Sequence, residues 1–218
     1  MKITIDGPVA SGKTAVGRAL ARRIAARFLD TGTMYRAATW AALQRNLDFS
    51  NADSLAKLVQ SLSIEVILED GEHVLKVNGA DITDFLRDPD VEANVSQLSQ
   101  VRQVRHELVN QQRTIADNGN IVVAGRDIGT VVIPDANLKI YLDASIDIRA
   151  RRRHDEMRRK GNIANLGKLI EDIKTRDTMD SKRDESPLVA ASDALIINTD
   201  RLRIDQIVTR IMQSMEQK

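Results

Sequence analysis

The stretch that most constrains this chain is Gly7-Pro8-Val9-Ala10-Ser11-Gly12-Lys13-Thr14, GPVASGKT, which fits the pattern GxxxxGK followed by Ser or Thr. A short apolar strand, Lys2 to Asp6, precedes it, and a helical pattern with Val16, Leu20 and Ile24 on one face follows. In that strand–loop–helix setting, the backbone N–H groups of the turn and of the helix N-terminus converge on one spot and cradle phosphate oxygens. Lys13 is placed to reach the β- and γ-phosphates of a nucleotide, and the Thr14 hydroxyl to ligate Mg²⁺.

The fold must be built largely from aliphatic residues. Hydrophobic residues make up 42% of the 218, yet aromatics only 3%, so Val, Ile, Leu and Ala do most of the packing. That suits a parallel sheet covered on both faces. The pattern predicts a first helix over 13–27, a brief strand over 28–30 and a second helix starting near Thr33 and ending near Asn46. A further helix is expected over 53–62. At Ser63 the character changes: Ile64, Val66 and Leu68 alternate with polar residues, Asp70-Gly71 reads as a turn, and 74–77 as a return strand before a second turn at Asn78-Gly79. Residues 63–87 are read as an antiparallel insert outside the main sheet. Helices over 90–99 and 102–118 lead to a buried strand, 121–124, that runs into Gly125-Arg126-Asp127. Another strand covers 138–142. A helix capped by Ser145 is expected to reach Lys160, with Gly161-Asn162 as its stop, and one over 166–179 precedes a polar loop at 181–187. The last strand is 194–198 and the closing helix 202–215. Five apolar strands separated by helices give an α/β fold, a five-stranded parallel sheet flanked by helices, with ligands outside the carboxyl ends of the strands.

Net charge is +1, from 32 basic and 31 acidic residues, so no global charge argues for a nucleic acid polymer or a membrane surface as partner. There is no cysteine, which excludes disulfides, thiolate metal sites and a cysteine nucleophile. No apolar run is long enough to span a bilayer, and the first residues already read as core strand rather than signal peptide, so a cytoplasmic protein is expected. The three histidines, His73, His106 and His154, show no metal or dyad spacing and are read as solvated or structural.

A phosphate loop alone does not separate kinases from switches, transporters and helicases, but the base-reading NKxD and the LSGGQ signature are absent. The arginines are more informative: Arg36 after the second strand, Arg126 after the third, then Arg149, Arg151, Arg152, Arg153, Arg176 and Arg183. Joining two phosphorylated molecules requires gathering several negative charges, and the guanidinium fork grips phosphate in a bidentate way while staying charged. Arg126, in a tight loop at a strand end, and Arg36, one turn inside a helix, are the leading candidates. Arg151 to Arg153 read equally well as a solvated helix face. Asp127 is open to two roles, substrate recognition or Mg²⁺ ligation, and Asp30 to metal-water orientation or turn formation.

GPVASGKT, DTGTMYRA (30–37), VNGADIT (77–83), GRDIGTVVIPDANLKIYLDAS (125–145) and RDTMDSKR (176–183) resemble, in order and spacing, the blocks of the bacterial cytidylate kinase family. The resemblance covers nearly the whole chain. It implies a P-loop nucleoside monophosphate kinase fold with an acceptor-binding region, taken as 31–105 and including the 63–87 insert, and a short lid over 149–165. It implies transfer of the γ-phosphate of ATP, with Mg²⁺, to CMP or dCMP, by a chain expected to be monomeric. Residue by residue it places Gly7, Pro8, Val9, Ala10, Ser11, Gly12, Lys13, Thr14 and Ala15 on the ATP phosphates, with Arg153 of the lid on the same side. Arg36, Arg126 and Arg183 match arginines that grip the acceptor phosphate; Ser96, Arg105 and Asp127 match positions that read cytosine; Arg176 and Asp180, with Thr31 nearby, match those that hold the ribose. Thr31 stands where many members have serine, and 101–105 lacks a proline often found before the matching segment. The acceptor phosphate oxygen is already an anion and needs no general base, so catalysis falls to Lys13, Mg²⁺ and the arginines. Kinases acting on UMP or shikimate, and a non-catalytic nucleotide-binding module, are the competing readings.

Overall fold

The structure, a computed structural model, describes residues 1–69, 72–159, 161 and 163–216. The expected turn at Asp70-Gly71, the helix end at Lys160, the stop residue Asn162 and the side chain of His73 lie outside the described residues. Two compact units divide the chain, Met1–Phe28 with Asn118–Lys218, and Leu29–Asp117.

The first unit is built on parallel strands. β1 (Lys2–Asp6) lies between β6 (Ile121–Ala124) and β7 (Leu138–Asp143), and the order across the described sheet is β2-β6-β1-β7-β8, with β2 Arg27–Asp30 and β8 Leu195–Asn198. Ile5 registers with Ala124 on one side and Ile140 on the other, and β7 runs two residues past Tyr141, the partner of Asp6. β6 is buried along its whole length, as expected of a central parallel strand with helices on both faces. α1 (Lys13–Arg23) and α8 (Ile204–Glu216) cover the sheet through Val16, Leu20, Ile207 and Ile211, which join Ile3, Ile5, Val122, Ile140 and Ile197 in one core. α6 (Ile146–Arg159) packs on α7 (Leu166–Lys182).

Several boundaries differ from the sequence reading by a few residues, and three of them have a visible cause. α1 stops at Arg23, four residues early, because Ala25 turns the chain at φ 50° and Arg27 is already strand. α2 (Thr31–Gln44) begins at Thr31 rather than Thr33, because the Asp30 side chain accepts the Gly32 amide and caps the helix. α7 runs past 179 to Lys182, so part of the expected polar loop is helix.

In the second unit, α2 packs on α4 (Pro89–Leu98), and α3 (Ala52–Gln60) on α5 (Arg102–Ala116). β3 (Ile64–Glu69), β4 (Glu72–Val77) and the two-residue β5 (Ala80–Asp81) form a separate antiparallel sheet, as the insert reading expected. Asn78 and Gly79 make the second turn with φ of 50° and 81°. Among the described residues, no helix is long and apolar enough to cross a membrane.

Candidate active site

At the carboxyl edge of the sheet, the loop after β1 is shaped by close packing and unusual backbone angles. A Cβ on Gly7 would come within 2.1 Å of the Leu142 carbonyl oxygen, so no other residue fits without moving β7. Ala10 has φ 58°, and Gly12, at φ 101°, is the N-cap of α1 and offers no side chain to cover the helix end. The loop therefore presents backbone N–H groups and the positive end of α1 to an anion. Lys13 is buried; its Nζ donates to the Pro8 carbonyl at 2.6 Å and to Ser11 Oγ at 3.4 Å. Thr14 follows on the first turn of α1, half-buried, and Ala15 is exposed.

The loop after β6 stands beside it in the same unit. Gly125 N donates to the Ile5 carbonyl at 3.0 Å. The amides of Ile128 and Gly129 both donate to the Asp6 carboxylate, each at 2.8 Å. Residues Ile128–Val132 then coil into a single wide helical turn, which the sequence reading did not anticipate. Asp6 is 5% exposed. Burial raises its pKa to about 6; the Gly129 and Ile128 amides oppose this, Asp127 adds to it, and Lys13 opposes it. Asp6 was missed as a site residue, though a carboxylate closing a buried strand was a signal for it.

Two ion pairs cross between this loop and the end of α7. Arg126 Nε meets Asp180 Oδ2 at 2.8 Å, and Arg183 Nη2 lies 3.3 Å from Asp127 Oδ1. Arg183, the C-cap of α7, also donates through Nε to the Ser186 carbonyl. Burial pushes the Asp180 pKa up, but the charge and hydrogen bond of Arg126, with Arg176 and Arg183, more than offset it and hold the group below the ordinary carboxylate range. The extension of α7 is thus what places Arg176 and Asp180 on one helix, with Arg183 at its end. Arg153, on α6, pairs with Glu156 at 3.0 Å.

Thr31, Arg36, Ser96 and Arg105 belong to the second unit. Thr31 is the first residue of α2 and is buried. Arg36 is 9% exposed; its Nε meets Glu92 Oε1 at 3.0 Å and its Nη1 donates to the Gly32 carbonyl at 3.0 Å. Burial draws its pKa below the usual guanidinium range, against the pull of Glu92. Glu92, which also meets Arg87 at 2.9 Å, gave no sequence signal. Arg105 is buried on α5 with its guanidinium 5.7 Å from the Tyr35 ring centre and Nη1 3.4 Å from the Ser99 carbonyl. Val101 forms the N-cap, so α5 starts at Arg102 without the proline. Ser96 lies half-buried on α4. His106 is exposed, and His154 Nδ1 is 3.6 Å from Asp155. Asp30 acts as a helix cap here.

Comparison with known proteins covers almost every residue. The family model described as cytidylate kinase matches residues 3–217. The cytidylate kinase of Bacillus subtilis (strain 168) is 43% identical over 219 residues, covering 100% of this chain and 97% of its own. That of Bacillus thuringiensis (strain Al Hakam) is 42% identical, covering 97% of this chain and 94% of its own. Among solved structures, an uncharacterized protein from Eubacterium ventriosum ATCC 27560 shares the fold, with a TM-score of 0.54 at 13% identity over 100% of this chain and 99% of that one. With its phosphate loop, its arginine–carboxylate pairs and a family match spanning the molecule, the chain belongs to the cytidylate kinase family.

Proposed function

We propose that the chain transfers the γ-phosphate of ATP to CMP or dCMP, giving ADP and CDP or dCDP. The observation that carries this is the full-length match to cytidylate kinases in a chain whose phosphate loop stands in the same unit as two arginine–carboxylate pairs. A phosphate oxygen of the acceptor attacks the γ-phosphorus in line, and the β–γ bridging oxygen leaves with ADP. No proton has to be removed.

Each residue in this reading has a task. Lys13 turns from the Pro8 carbonyl to the β- and γ-phosphates, where charge builds, and the loop orients the donor through backbone amides other than those of Pro8, which has no N–H, and Val9, which donates to Asp177. Arg36, Arg126 and Arg183 neutralise the acceptor phosphate. In this reading acceptor binding competes with the standing carboxylate partners of Arg126 and Arg183. Asp180 with Arg176, and Thr31, hold the ribose, and Asp127, Ser96 and Arg105 read cytosine. Residues 149–165 act as the lid, with Arg153 on the donor side.

Mg²⁺ fits a site of this kind. Among the described residues there is no group of three His, Cys, Asp or Glu that could hold a metal; the protein would hold the ion through one hydroxyl, with phosphate oxygens and water beside it. Thr14, beside Lys13 at the N-terminus of α1, is that hydroxyl. Bound there, Mg²⁺ would neutralise charge on the donor phosphates.

Turnover of ATP against a panel of CMP, dCMP, UMP, AMP and shikimate tests the reading. The expected result is preference for the two cytosine nucleotides by one decade or more. Preference for UMP or shikimate, or ATP binding without turnover, would assign one of the competing functions.

A further inference from the structure

The RDTMDSKR block holds one acidic residue without a task in the reaction. Asp177 lies on α7 next to Arg176, and its carboxylate meets the phosphate loop and Arg149. Its Oδ2 meets Arg149 Nη1 at 2.5 Å, and its Oδ1 accepts the Val9 amide at 3.4 Å. The same Arg149 Nη1 donates to the Val9 carbonyl at 3.2 Å, while Nε is fixed on the Ala144 carbonyl at 2.9 Å. Arg149 itself is buried. Both backbone polar groups of a single phosphate-loop residue are thus held by the two halves of one ion pair, which also joins α6 to α7.

We propose that Asp177 is a positioning residue for the phosphate loop, acting with Arg149 by clamping the two peptide groups of Val9. The loop needs such a clamp. Ala10, the next residue, sits at φ 58°, a left-handed conformation that an L residue holds only when its surroundings over-determine it. Rotation of the peptides around Val9 would turn the following amides away from the phosphate position. The ion pair opposes this by offering an acceptor to the Val9 N–H and a donor to its C=O, and the guanidinium fork can bind the carbonyls and the carboxylate together. Asp177 touches no reacting atom; its effect is transmitted through Val9.

The proposal rests on reading this loop as the ATP site, which wild-type turnover tests separately. Asp177→Asn keeps the size but removes the charge that holds Arg149. Arg149→Lys keeps the charge but cannot serve Ala144, Val9 and Asp177 at once. For each, the ATP dissociation constant measured by calorimetry without acceptor should rise about tenfold, and kcat should fall by about the same factor, as expected when a group is misplaced by a fraction of an ångström. KM for CMP should stay within twofold. The double variant should be no worse than the poorer single one, because both break the same clamp. If Asp177→Asn lowers the melting temperature yet leaves ATP affinity and kcat within twofold, the pair is only a structural tie and the proposal fails. Additive losses in the double variant would overturn it as well. Should Asp177→Asn not fold, unchanged ATP affinity in Arg149→Lys alone would overturn it.

Discussion

The carboxylate of Asp6 accepts the Gly129 amide at 2.8 Å, tying the end of β1 to the turn after β6. This bond and its partner from Ile128 hold a buried charge that burial disfavours, and the Asp6 pKa rises from 3.8 to about 6. The folded protein therefore takes up a proton between pH 6 and pH 4 that the unfolded chain does not. Asp6 makes the fold more stable as pH falls through that window, by up to about 3 kcal/mol. Asp180 contributes with the opposite sign, since its lowered pKa favours the fold above the unfolded value and is lost in acid. Comparing wild type with Asp6→Asn isolates the first effect. Urea unfolding should show the stability difference moving toward wild type between pH 7.5 and pH 4.5. A difference that does not change with pH would contradict this account of Asp6.

Lys13 gives the second prediction. Its ammonium, now on the Pro8 carbonyl, is the one cation of the phosphate loop itself. Lys13→Ala should lower kcat by two orders of magnitude or more, on the order of 3 kcal/mol in the transition state, with KM for CMP little changed. Steady-state kinetics check this, and a kcat within a few-fold of wild type would remove the loop from the reaction.

Much of the unit carrying the sheet was legible because its strands are continuous apolar runs: 121–124 and 138–142 were read almost to the residue. What was not legible depends on long-range partners. Asp180 looked like the edge of a polar loop, yet it is buried on α7 because Arg126, 54 positions away, pairs with it. Asp30 and Thr31 were read as strand end and turn, while the local hydrogen bond from the Gly32 amide makes them cap and first turn of α2. Of the arginines singled out, Arg149 proved to be an internal tie to Val9 and Ala144, a role that spacing alone could not suggest.

Specificity should lie with Asp127. Its carboxylate is buried and lies 3.3 Å from the Arg183 guanidinium, in the loop that Asp6 fixes. Cytosine offers an amino donor where uracil offers a carbonyl, so an ionised carboxylate attracts the first and repels the second. A polar group left unpaired costs about 1–3 kcal/mol, or one to two decades. Asp127→Ala should thus lower kcat/KM for CMP far more than for UMP, with KM for ATP nearly constant. An unchanged CMP to UMP ratio together with a raised KM for ATP would instead make it a metal-side residue.

The lid can be located by hydrogen exchange. Arg149 and Arg152 are anchored near the loop, Arg152 through the Thr199 carbonyl at 2.6 Å, so they form the fixed base of the 149–165 lid and closure should fall on the rest of it. Peptides spanning 153–165 should gain protection when ATP and CMP sites are filled together by a bisubstrate mimic, since water must be excluded from the donor. Unchanged protection there would place the lid elsewhere.

The central claim is phosphoryl transfer from ATP to CMP. ATP labelled with ¹⁸O at the three non-bridging γ-oxygens follows it atom by atom. Incubated with CMP and Mg²⁺, the enzyme should yield CDP whose terminal phosphate carries all three labelled oxygens, with one ADP formed per CDP. Label recovered in inorganic phosphate, with no labelled CDP, would contradict the account.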